Sequence, residues 1–92
     1  MKHVYIIAYQ PKLPAGTDRT YYDVLEKIKS LGSWQHPMDQ VWFVKTESPL
    51  NLTELCGEIT ELMKWGDLFV TEVGEAFGGY MPNAIWPWLR DK

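Results

Sequence analysis

The strongest constraint on this chain is the order in which its hydrophobic period changes. Residues 3–9, HVYIIAY, form a nearly continuous β-rich apolar run, the pattern of a strand covered on both faces or central in a sheet. Residues 10–20, QPKLPAGTDRT, carry two prolines and a glycine and read as a loop. Thr20 with Asp23 gives a Thr-x-x-Asp helix start. Tyr21, Val24, Leu25, Ile28 and Leu31 then recur at helical spacing until Gly32, so a helix is predicted over 21–31. SWQH at 33–36 suits a short strand, PMDQ at 37–40 a turn, and VWFVKT at 41–46 a strand. Pro49 and Asn51 break that strand, and Asn51 with Glu54 repeats the capping pattern. Leu52, Leu55, Cys56, Ile59, Leu62 and Met63 share one helical face, which predicts a second helix over 52–64, ended by Gly66. DLFVTEV at 67–73 alternates as a fourth strand, with Leu68, Val70 and Glu72 on one face and Phe69, Thr71 and Val73 on the other.

The order β-α-β-β-α-β predicts an α+β fold, the ferredoxin-like split βαβ sandwich, with both helices on one face of a four-stranded sheet. With 92 residues there is one domain, a core over 1–73 and an aromatic-rich C-terminal extension over 74–92. The face away from the helices must be solvated, partnered or ligand-bound, so it is the first place to look for function. Trp42 and Phe43 are adjacent in a strand and point to opposite faces, so at least one faces away from the helices. The extension, GEAFGGYMPNAIWPWLRDK, offers Phe77, Tyr80, Trp86 and Trp88 and a short turn that Asn83 could cap. These aromatics need shielding by the chain's own sheet or by a second chain. With Trp42 they are the expected interface of a homodimer.

Nine Lys and Arg against twelve Asp and Glu leave a net charge of −3, which disfavours a polyanionic nucleic-acid partner for the chain as a whole. No stretch approaches the ~20 apolar residues that span a bilayer. The N-terminal apolar run is too short for a signal peptide and has no small-residue cleavage site, so a cytoplasmic protein without membrane association is expected. The single cysteine, Cys56, excludes an intrachain disulfide and reads as a small core hydrophobe.

Residues that carry chemistry are sparse. Asp18 and Asp23 flank the first helix start, where acids have an ordinary role, and Asp39 suits a turn. Glu58, Glu61, Glu72 and Glu75 read as solvated charges. His3 and His36 have no cysteine or acid at metal-ligand spacing, and neither a nucleophile triad nor a phosphate-binding glycine loop stands out. The 11–20 loop is long for so small a domain. Its Lys12, Thr17, Arg19 and Thr20 can converge on an anion at the first helix N-terminus, next to Tyr9 and Gln10.

The motifs IIAYQ, IKSLG, Trp34, VWFVKT, EVGEAFGGYMP and NAIWPWL occur in an order that resembles the SinR-like family of small bacterial and phage proteins. That family is related to the ferredoxin-fold subunit of the CRISPR spacer-integration complex and more distantly to VapD-type ribonuclease toxins. In the CRISPR-type relatives the first strand ends in tyrosine then aspartate, and one such aspartate from each chain of a homodimer is proposed to hold a divalent metal for phosphodiester hydrolysis. The resemblance matches Tyr9 to the tyrosine and puts Gln10 where the aspartate stands. A neutral amide cannot supply the negative charge that favours Mg²⁺. The expectation is therefore a homodimeric interaction protein without cofactor, a degenerate nuclease rather than an enzyme. Two alternatives remain: a Mg²⁺-dependent phosphodiesterase or ribonuclease using other carboxylates, and a module binding a nucleotide-like ligand between loop 11–20 and the aromatics, as in phage counter-defence.

Overall fold

Strand β1 (His3–Gln10) lies inside the sheet, hydrogen-bonded on one side to β3 (Val41–Thr46) and on the other to β4 (Asp67–Glu72), both antiparallel. β2 (Ser33–Met38) pairs antiparallel with β3 and forms one edge, giving the order β2-β3-β1-β4. Helices α1 (Arg19–Ser30) and α2 (Leu52–Met63) make the two crossovers, and a short α3 (Ile85–Arg90) follows β4. This is the ferredoxin-like βαββαβ arrangement. The computed structural model describes residues 2–11, 19–63, 66–75 and 77–90.

Alternation along the strands divides the side chains into two layers. Ile7, Tyr9, Trp42 and Val44 point to the helices and pack with Val24 and Ile28 of α1 and Leu55, Ile59 and Met63 of α2. Ile28 and Ile59 are fully buried, so truncating either to alanine costs about 2–5 kcal/mol. Asn51 caps α2 as its sequence pattern predicts: its Oδ1 accepts the Glu54 backbone N–H at 3.1 Å. The Lys27–Glu58 ion pair ties α1 to α2 at the surface, where such pairs contribute about 0–1 kcal/mol. The Tyr5 hydroxyl accepts the Leu50 N–H at 2.8 Å and fixes the approach to α2.

Trp42 corrects an expectation. It lies opposite Ile7 across β1–β3, is fully buried in the helix-side layer, and has no surface to offer a partner chain. The His36 ring stacks on it at 4.3 Å, with 11° between the planes. Phe43, opposite Ile6, is the residue that faces away from the helices.

The C-terminal extension packs on its own sheet. Ile85 and Leu89 of α3 are buried against Val4 and Phe43, with Trp86, Trp88, Met81 and Val73 around them. Lys45, on the same face and only 7% exposed, donates from Nζ to the Trp88 carbonyl at 2.5 Å and lies 4.5 Å from the Trp88 ring centroid. The last carbonyls of a helix lack intrahelical partners, and a cation there also suits the helix dipole. The Trp88 indole N–H donates to Ser33 Oγ at 3.2 Å, so the tail reaches the β2 edge.

Element bounds follow the sequence pattern to within two residues, and the largest differences lie at the end of β2 and the start of α1. β2 continues through Pro37 to Met38, with an irregularity after Gln35; proline is tolerated because β2 is an edge strand. Helix α1 begins at Arg19, so Thr20 stands inside its first turn rather than before it. Among the described residues no helix is long and apolar enough to cross a membrane.

Candidate functional site

Helix α3 covers only part of the face it lies on. Residues directly opposite in an antiparallel ladder share a face. Met38 pairs with Val41, Val41 with Ala8, and Ala8 with Phe69, so these four form one row across all four strands. Val41 borders the α3 cluster, and the row marks where the cover ends. Phe69 is 64% exposed and Met38 50%, while Ala8 and Val41 are half-buried. An uncharged apolar strip thus crosses the sheet at the C-terminal end of β1.

Gln10 stands one same-face position further along β1, directly opposite Asp67 of β4. Ala8, Val41, Phe69, Gln10, Gln40 and Asp67 all line a cleft of about 300 Å³ at this end of the sheet. The Tyr9 N–H donates to the Gln40 carbonyl at 2.8 Å, which draws the β2–β3 turn against β1. Gly66 takes φ of 109°, and a Cβ there would collide with the Gln10 carbonyl. Glycine at that position lets the chain enter β4 close against the end of β1. The Gln10 side chain is exposed, and among the described residues its Nε2 makes one long contact, 3.4 Å to the Pro11 carbonyl.

The residues that the sequence groups around an anion do not all meet. Tyr9 is 2% exposed and its ring stacks on Tyr21 at 6.3 Å on the helix side, whereas Gln10 faces the opposite way. Thr20 lies half-buried in α1, also on the helix side of the sheet. Lys12 and Thr17 lie outside the described residues, as does the side chain of Arg19. The tail aromatics are not near the α1 start: β4 leaves the sheet beside Val4, where the Val73 N–H donates to the Val4 carbonyl at 2.8 Å, at the far end of β1 from Gln10. A ligand site shared between the start of α1 and the tail is therefore not assembled by the described residues.

Of the tail aromatics expected at an interface, Trp88 is held by Ser33 and Lys45, and Trp86 is half-buried beside Phe77. Phe77 is 38% exposed and Tyr80 is 99% exposed. The acids are dispersed. His3 Nδ1 lies 2.9 Å from Glu72 Oε2, His36 Nε2 meets the Asp39 carbonyl at 3.0 Å, and Asp23 is exposed on α1. Among the described residues no group of three or more His, Cys, Asp or Glu is placed to hold a metal ion.

Phe69 and Asp67 were not singled out from the sequence. Phe69 had a signal, since its face is opposite that of Leu68 and Val70, but its exposure depended on how far α3 would reach. Asp67 became relevant only through the register that places it opposite Gln10.

Comparison with protein-family models, with curated proteins and with solved structures finds no match to this chain.

Proposed function

We propose that this protein is a small interaction protein that self-associates through the uncovered end of its tail-side sheet face, with a degenerate metal position at Gln10 and no nuclease activity. The observation that carries this reading is the exposed Met38–Val41–Ala8–Phe69 row. Burying one phenylalanine side chain contributes about 1.5–3 kcal/mol, and an isologous dimer buries Phe69 from both copies. The row carries no charge, so two copies of an acidic chain can meet on it without opposing carboxylates at its centre.

The β4 edge is a poorer contact. An antiparallel β4–β4 pairing about the strand centre brings Asp67 opposite Glu72 of the second copy, and like charges directly opposite are destabilising. The resemblance to the SinR-like family fits the same reading, because the position that carries the metal-binding aspartate in its CRISPR-type relatives is Gln10 here, at the border of the proposed contact.

Sedimentation velocity of the wild-type chain and of Phe69→Glu tests the proposal. A dimer that becomes a monomer on substitution supports it; a dimer unaffected by Phe69→Glu removes this surface from the reading. The rival enzyme reading requires a carboxylate other than residue 10, and Asp67 is the acid nearest in register. Hydrolysis of RNA or a phosphodiester substrate that is lost in Asp67→Asn and in EDTA would favour the rival.

A further inference from the structure

A second cleft, of about 750 Å³, opens on the C-terminal extension, away from the Gln10 end of the sheet. Its volume falls in the range of small-molecule sites. Trp86 and Phe77 line it with rings nearly parallel, 12° apart in plane and 6.4 Å between centroids. That separation lies at the wide end for a direct ring pair. Arg90 lines the same cleft, its guanidinium 6.0 Å from the Trp86 ring centroid, and Glu75 and Asn83 complete the polar part of the wall. Among the described residues neither Glu75 nor Arg90 is in an ion pair, so a carboxylate and a guanidinium both face the cleft without neutralising each other.

Gly78, Gly79 and Pro87 also line the cleft. Gly79 takes φ of 151°, a backbone conformation that favours glycine, and it lies beside the Trp86 ring, which would stand 4.0 Å from a Cβ there.

We propose that this cleft binds a free purine nucleoside monophosphate, with guanine preferred: the base stacks on Trp86, its Watson–Crick edge meets Glu75, and its phosphate meets Arg90. Each part follows from the chemistry of the wall. An indole face stacks any nucleobase. An ionised carboxylate only accepts hydrogen bonds, and guanine presents two donors on that edge, N1–H and N2–H, where adenine presents one amino group. A guanidinium matches phosphate geometry in a bidentate contact. A mononucleotide is favoured over a polynucleotide because the described wall of the cleft has one arginine and the chain carries a net charge of −3. This site is separate from the self-association surface and does not depend on it.

The test is isothermal titration of the full chain with GMP, AMP, guanosine and inorganic phosphate. GMP is expected to bind about tenfold more tightly than AMP or guanosine, with no measurable heat from phosphate alone. Arg90→Ala should reduce GMP to the level of guanosine, and Glu75→Gln should abolish the preference for GMP over AMP; circular dichroism melts establish that both variants are folded. Absence of binding heat for any nucleotide at millimolar concentration overturns the proposal. So does GMP binding that survives both substitutions, or a short single-stranded RNA that binds more tightly than GMP.

Discussion

Gln10 stands directly opposite Asp67 across the β1–β4 ladder, at the end of the sheet that α3 leaves open. A neutral amide beside a single carboxylate offers a cation one full negative charge. Oxygen-ligated divalent ions favour sites with more carboxylate charge. The pair also borders the apolar row that ends on Phe69, so the same corner of the sheet holds Gln10 and the surface proposed for a second copy.

Replacing Gln10 with aspartate introduces a carboxylate and places two acids opposite each other. Like charges in that position cost about 0.2–1 kcal/mol. The expected outcome is a slightly lower melting temperature for Gln10→Asp without metal, and recovery above it on adding Mn²⁺. The wild type should show no Mn²⁺-dependent shift in the same thermal scan. A wild type stabilised by Mn²⁺ as strongly as the variant would show that the amide is no handicap.

Gly66→Ala should destabilise the fold without touching any core side chain. The backbone there has φ of 109°, and the added methyl would meet the Gln10 carbonyl. Strain of this kind costs about 1–3 kcal/mol, readable as a lowered urea midpoint at unchanged slope.

Lys45→Met tests how the tail is held. Methionine keeps much of the aliphatic stem under Trp88 but removes the donor to its carbonyl. Hydrogen bonds to charged groups contribute about 1.5–3 kcal/mol, and the orphaned carbonyl adds to the loss. Limited proteolysis should cut the extension of Lys45→Met faster than that of the wild type, while the β1–β4 ladder amides keep their hydrogen-exchange protection. Equal cleavage of the two proteins would show that the apolar packing of α3 and the Trp88–Ser33 hydrogen bond hold the extension without Lys45.

Most of the framework was legible because period and punctuation agree. Val24 and Ile28, and Leu55, Ile59 and Met63, recur at helical spacing and are the residues α1 and α2 bury. Asn51 reads as a cap and is one. Trp42 shows the limit: alternation separates it from Phe43, but which of the two faces the helices depends on pairing with Ile7 or Ile6, and that register is a long-range property. The site was less legible for the same reason. Met38, Val41, Ala8 and Phe69 come from four separate strands, and nothing local makes them neighbours. Lys45 reads in sequence as an ordinary strand residue; its role exists only because Trp88 returns to it from the end of the chain.

The most direct test of the central claim is the solution mass of the wild-type chain by light scattering across a concentration series. One chain is 10.7 kDa. The account predicts a species of twice that mass at high concentration, replaced by a single-chain mass in Phe69→Glu at the same concentration. A wild type that remains at the single-chain mass throughout the series would contradict it.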